Sequence, residues 1–511
     1  MYSKTKYKSE VTATLLLVAV FLTGCNSSSS NSTTTPEPVS TPVPETTPPT
    51  INLSGSADFS TYIAFGDSLT AGYADSALYS SGQENSFPNI LAKQFALAGG
   101  GSFNQPLVKD DIGGLLIGGL AITDTRLKLL STASDASSSV AGTPSTDVLS
   151  PVTGSFNNMG VPAAKSFHTL AMGYGYRDAA TLTAGGANPF YAYFASEPSS
   201  SATMIDDAAA QLPSFFTLWI GANDVLAYAT SGGTGVDQLG NIDSSTYSAS
   251  DITDPALFAT TYNVLVSRLL ASGSKGVLIN IPDVSSIPYF TTVAYNALPL
   301  TISQASDSNT AYATYNAAIA SSALSSAEKT QRTINFTSGQ NPLVIEDDNL
   351  TDLTAGSLPS IRQATADDYI VLTAAAKIGI EETTGDPTTI WGLGKALLDA
   401  DVLTLTEATL VANAQTAYNS TIAAAATANA DLLFYDAKTS MAQMKNSGIN
   451  YGSGTITAVY NSGGGFSLDG VHPTARGYAV IANQIIDLIN QSFSANIPTV
   501  DPGTYTTVFY H

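Results

Sequence analysis

The chain has 511 residues, 44% of them hydrophobic and only 12% charged, with 41 acidic against 19 basic side chains and a formal net charge of −22. That balance excludes nucleic acid as a partner and disfavours anionic headgroups, which such a surface repels over about a Debye length, ~8 Å at physiological salt. One cysteine excludes an intramolecular disulfide, and three scattered histidines leave too few ligands for a zinc site.

In chain order, Lys4, Lys6 and Lys8 precede an apolar stretch from Val11 to Leu22, too short to span a bilayer stably, which closes at Leu22-Thr23-Gly24-Cys25. This is similar to a bacterial lipoprotein signal with its lipobox. Residues 1–24 are therefore expected to be a signal peptide, and cleavage before Cys25 would leave the only cysteine to carry lipid. The protein is then exported and lipid-anchored to a bacterial membrane, with the outer membrane, facing periplasm or surface, as the expected one. Residues 26–50 hold 6 Ser, 7 Thr and 6 Pro, so 19 of 25 positions cannot build a core. Residues 25–56 read as a lipidated cysteine and a solvated tether, reaching about 80 Å at ~3.1 Å per residue when extended. From Cys25 on there are 16 basic and 40 acidic residues, a net charge of −24, which suits neutral substrates.

Residues 57–511 read as one α/β domain with inserts near 75–150 and 284–400. Its strands are expected at Tyr62–Phe65, Phe215–Ile220, Val277–Ile281 and Leu432–Tyr435, short apolar runs separated by helix-length segments, which argues a parallel sheet with crossover helices. Asp254-Pro255 reads as N-cap and first helical residue of a helix closed by Gly273. Thr404-Leu405-Thr406-Glu407 is a capping box opening an alanine-rich helix to about Ala430. Pro473 is expected to start a last helix with Tyr478, Ile481, Ile485 and Leu488 facing inward. In the first insert, the apolar, Gly-rich run from Ile112 to Leu120 is either a flap lining an acyl pocket or a buried loop or short helix. The second insert has no assignable role, and Glu346-Asp347-Asp348-Asn349 within it reads as a solvated turn rather than a calcium loop.

The chemistry is expected at Phe65-Gly66-Asp67-Ser68-Leu69, where Gly-Asp-Ser breaks a strand and leaves Ser68 at its carboxyl end, the place where open α/β sheets bind ligands. A serine nucleophile needs a base and its tetrahedral product needs hydrogen-bond donors. His472 is the candidate base: in Leu468-Asp469-Gly470-Val471-His472-Pro473 the three-residue spacing lets Asp469 reach the far ring nitrogen. His168 has no carboxylate nearby in sequence, and His511 is the last residue. Two stretches offer oxyanion donors, the Gly160 N–H in Asn157-Asn158-Met159-Gly160-Val161-Pro162-Ala163-Ala164, and the Asn223 amide after Trp219-Ile220-Gly221-Ala222.

These four blocks, Gly66-Asp67-Ser68-Leu69, Gly160, Gly221-Ala222-Asn223-Asp224 and Asp469-Gly470-Val471-His472-Pro473, stand in the order of the GDSL or SGNH hydrolases, which the chain resembles from about residue 57 onward. The resemblance implies a three-layer α/β/α fold, from whose smaller members this chain departs in its large insertions, a catalytic Ser68, Asp469 and His472, and an oxyanion hole of Ser68, Gly160 and Asn223. Asp67 and Asp224 are read as loop-fixing residues. No metal and no cofactor is expected, and no Gly-x-Ser-x-Gly elbow is present. The expected activity is hydrolysis of carboxylic esters with short or medium acyl chains, lipid-like esters included. The alternatives are polysaccharide O-deacetylation on the same fold, or a non-catalytic surface lipoprotein binding glycan or protein.

Overall fold

The four expected strands are short, aromatic or β-branched runs, and each pairs in parallel with its neighbours. The computed structural model describes residues 52–130, 137–196 and 201–508. The expected signal peptide, Cys25 and most of the tether lie outside the described residues. From Asn52 onward the chain is one compact unit. Strands β1 (Tyr62–Gly66), β2 (Asn158–Gly160), β3 (Phe215–Trp219), β4 (Lys275–Ile279) and β5 (Leu432–Tyr435) form a parallel sheet in the order β5-β4-β3-β1-β2. β2 is the one strand not anticipated, because Asn-Met-Gly has neither alternation nor β-branching.

Side chains alternate across the sheet, as the two-residue period of a strand requires. Ile63, Phe65, Phe216, Leu218 and Leu278 enter the core on one face, whereas Tyr62, Ala64, Phe215, Trp219, Val277 and Ile279 enter the other. The helices that use these faces and carry the site are α1 (Ser68–Ala71), α2 (Phe87–Leu97), α3 (Asn223–Thr230), α4 (Pro255–Leu270), α5 (Ile302–Ser321), α6 (Leu405–Thr427), α7 (Ala437–Asn446) and α8 (Ala475–Phe493). Phe258, Tyr262 and Leu265 of α4, with Val411, Tyr418 and Ile422 of α6, cover the first face. Ile90, Leu91 and Phe95 of α2, with Tyr478, Ile485 and Ile489 of α8, cover the second. The result is the α/β/α sandwich expected from sequence.

Local signals set the helix ends. Asp254 accepts from the N–H groups of Ala256 and Leu257, with Pro255 at the first helical position. The Glu407 carboxylate accepts the Thr404 N–H at 2.7 Å, and α6 stops at Thr427, short of the expected Ala430. The last helix begins at Ala475, because Thr474 caps the Gly477 N–H while Pro473 bridges to Phe466 in extended backbone.

The Ile112–Leu120 run folds into a two-stranded ribbon, Leu116–Ile117 with Leu120–Ala121, whose Leu115 and Ile117 pack on Ala71, Leu78 and Val148. Residues 113–117 form a buried wall of the first insert, closer to the buried-loop reading than to a flap, while residues 118–121 stand exposed. The second insert is α5 with a set of two-stranded ribbons, tied at its centre by Arg362, which bonds both Asp347 and Asp368. Among the described residues no helix is long and apolar enough to cross a membrane.

Candidate active site

Register brings three loops together. Gly66 pairs with Trp219 on one side and Gly160 on the other, so β1, β2 and β3 end level with one another. In a sheet of order 2-1-3-4-5, the crevice lies beyond the carboxyl ends where β1 and β3 diverge. Ser68 follows β1 there, the 161–164 loop follows β2, and Asn223 follows β3. Gly221 makes the last turn: its φ is 117°, and a Cβ there would lie 2.7 Å from the Phe258 ring.

Ser68, His472 and Asp469 form a continuous chain across 404 residues of sequence. Ser68 Oγ lies 2.9 Å from His472 Nε2, and His472 Nδ1 lies 2.9 Å from Asp469 Oδ2. Asp469 Oδ1 accepts the N–H groups of Val471 and His472, both at 2.8 Å, and Oδ2 also accepts the Ser76 N–H at 3.0 Å. Burial opposes the carboxylate charge, yet the adjacent imidazole and these N–H donors hold Asp469 down at about 2. The Tyr73 ring leans on the imidazole at 4.8 Å between centroids.

The Ser76 contact comes from a strained turn. Asp75 and Ser76, between the bridged Ala74 and Ala77, have φ of 52° and 63°, a conformation that costs L-residues about 1–2 kcal/mol each. Three hydrogen bonds hold it to the His472 loop and the first insert. The Asp75 N–H donates to Ser467 Oγ at 2.9 Å, and its carboxylate accepts from the Leu468 N–H at 2.9 Å and Tyr79 O–H at 3.1 Å.

Accounting for backbone donors separates the oxyanion candidates. The Gly160 N–H is spent on Asn158 Oδ1 at 3.0 Å, so it is not the donor expected from sequence. Gly160 is glycine for packing, since a Cβ there would stand 2.2 Å from the Ala71 nitrogen. Further along the loop, Val161 N–H donates to the Gly66 carbonyl, Pro162 has none, and Ala164 N–H donates to the Val161 carbonyl. Among the described residues the Ala163 and Ser68 N–H groups have no acceptor. Ala163 is held at φ 64°, and the Asn223 Nδ2 donates to the neighbouring Ala164 carbonyl at 3.0 Å, which leaves a second amide proton for a ligand.

The two accompanying aspartates fix loops. Asp224 accepts the Ser166 N–H and O–H at 2.8 and 2.7 Å, and Asp67 Oδ1 accepts the Leu69 N–H at 3.0 Å. Burial raises both, Asp67 to about 7. His168 is stacked on Tyr174 and takes the Lys165 N–H at Nδ1; burial pushes it down to about 4, so it is neutral. His511 lies outside the described residues. No cluster of three or more His, Cys, Asp or Glu among the described residues is arranged to hold a metal ion.

The match to the GDSL-like lipase/acylhydrolase family model covers residues 62–338, more than half of the chain. The chain belongs to this family. As a GDSL-like hydrolase it acts on ester bonds, with the family's α/β fold around a five-stranded parallel sheet. Comparison with curated proteins and with solved structures found no match. The matched segment holds Ser68 and Asn223 but ends before Asp469 and His472, which therefore rest on the geometry above. Sequence reasoning missed Ser76, Tyr73 and Ala163. The first and third present backbone N–H groups, which no side-chain motif announces, although the Asp75-Ser76 pair is compatible with a tight turn.

Proposed function

We propose that this GDSL-like hydrolase is a serine esterase that cleaves carboxylic esters of short or medium acyl chains through an acyl-enzyme on Ser68. The observation that carries the reading is the pair of 2.9 Å contacts from Ser68 through His472 to Asp469. His472 Nε2 takes the Ser68 proton as Oγ bonds to the ester carbonyl carbon, and the carbonyl electrons move onto oxygen. The N–H groups of Ser68 and Ala163 and the Asn223 amide are the donors in place for that oxyanion. As the tetrahedral species collapses, the C–O bond to the alcohol breaks and His472 returns its proton to the alcohol. Water then repeats the sequence on the acyl-enzyme and releases the acid and free Ser68. Asp469 keeps the proton on Nδ1 and balances the imidazolium.

The test is release of p-nitrophenol from acetate, butyrate and octanoate esters by the protein beside Ser68→Ala. Activity that survives the substitution removes Ser68 from the reaction. A second reading, O-deacetylation of a polysaccharide, is favoured by the open groove of about 1580 Å³ beside His472, lined by Tyr73, Asn223, Tyr289, Asn296 and Gln340. Acetate released from an acetylated glycan but not from simple esters would decide for it. We further propose that Cys25 carries lipid and tethers the enzyme to a bacterial membrane, neutral small esters being its partners. Palmitate labelling of the full-length protein, lost in Cys25→Ala, tests this.

A further inference from the structure

Two cavities meet at the imidazole. One is the open groove of about 1580 Å³, partly walled by the second insert through Val293, Pro299 and Leu372. The other is narrow, about 90 Å³, and lies beside Ser68 among Leu69, Trp219, Ile281, Met441 and Phe466. His472, Val471 and Leu226 line both and form the partition between them.

We propose that the narrow cavity is the acyl subsite of this enzyme and takes a straight chain of about four carbons, while the groove holds the alcohol. This rests on the serine-esterase reading above. The reaction itself assigns the sides. The alcohol leaves with the proton from His472, and the attacking water must then occupy the vacated place, within reach of the same nitrogen. That place has to be wet. The groove presents Asn223, Thr230, Asn296 and Gln340, whereas a cavity lined by leucine, isoleucine, methionine and phenylalanine stays dry. The acyl chain remains bonded to Ser68 through both steps and gains from a dry wall.

Size sets the chain length. An apolar cavity of about 150 Å³ holds a benzene-sized molecule of six carbons, so the smaller one here fits about four. The walls come from the β4 exit, α7 and the loop before His472, not from the apolar first insert. Met441 on α7 is unbranched and bounds the cavity without a hydrogen bond of its own, and Val284 bounds it after the β4 exit.

The experiment is kcat/KM of the full-length protein on p-nitrophenyl acetate, butyrate, hexanoate, octanoate and palmitate, with Met441→Ala and Val284→Phe alongside. From acetate to butyrate the value is expected to rise about fourfold per methylene, then to fall by about tenfold or more at octanoate. Met441→Ala should raise the octanoate-to-butyrate ratio about tenfold, and Val284→Phe should lower the butyrate-to-acetate ratio by a similar factor. Because ratios are read within one protein, a partly unfolded variant still reports. Palmitate cleaved as well as butyrate, or ratios within about twofold of the parent in both variants, overturns the assignment. So does a chain-length optimum that appears with alkyl acetates, on the alcohol side. In those cases Ser68-dependent hydrolysis remains and the esterase reading stands; absence of any Ser68-dependent ester cleavage overturns both.

Discussion

Replacing Asp469 by asparagine is expected to be worse than its small change in shape suggests, because the structure dictates how the new amide must lie. Oδ1 accepts two backbone N–H groups, from Val471 and His472, each at 2.8 Å. An NH₂ group at that position would face two donors, so the amide oxygen takes it and the NH₂ faces Ser76 N–H and His472 Nδ1. The imidazole then accepts at Nδ1 and carries its proton on Nε2, pointing at Ser68, and the base is lost. A wrong tautomer of this kind costs about 10⁴ in kcat, roughly 5.5 kcal/mol of transition-state stabilisation. The Ser76 N–H loses its acceptor, which costs stability about 1–3 kcal/mol. The assay is kcat on p-nitrophenyl butyrate for the parent and Asp469→Asn, with urea unfolding of each. A variant that keeps more than about a tenth of the parental kcat would refute the tautomer argument, and unchanged stability would refute the role given to Ser76.

Asn223→Ala should lower kcat by about 10²–10³ with little change in KM, as loss of one oxyanion donor does; an undiminished rate removes the amide from the site. Gly160→Ala should destabilise the fold by about 3 kcal/mol through collision with α1, read as a shift in urea midpoint. Ala163→Gly should relieve about 1 kcal/mol of left-handed strain, read as a higher urea midpoint, and keep activity. A glycine variant no more stable than the parent, or one that loses about tenfold or more in kcat, contradicts that reading of the loop. Asp67, raised by burial to about 7, holds a proton in the folded protein that the unfolded chain releases near pH 4. Stability from this group is therefore full below pH ~4 and falls by up to roughly 4 kcal/mol as pH rises through 7. Asp67→Asn retains the cap to Leu69 and removes that slope, so its stability relative to the parent should climb between pH 4.5 and 8. A constant difference across that range contradicts the burial argument.

Much of the scaffold could be read directly from the chain, since strands and helix ends rest on local rules. Four of five sheet strands follow from short apolar runs, and the Asp254 cap and Thr404-Glu407 box follow from side chains that bond the backbone within three residues. The pairing of Asp469 with His472 is local in the same sense, a three-residue turn. The blocks around Ser68 and Asn223 were legible because their side chains do chemistry at strand ends. Which backbone donors are left free, and how the loops pack around them, was not legible. Gly160 looked like a donor because it is a glycine, yet its N–H is closed by Asn158 and its missing side chain serves contact with α1. Ala163 at φ 64° and the Ser76 N–H on Asp469 are set by packing of the loops around them, and an alanine or serine in sequence carries no mark of that conformation. The apolar first insert suggested the acyl wall, but burial pairs apolar surfaces wherever the fold brings them together. In the acyl subsite proposed here, that wall belongs to α7, the β4 exit and the His472 loop. Composition determined which residues would avoid water; only the folded chain decided which of them face the serine.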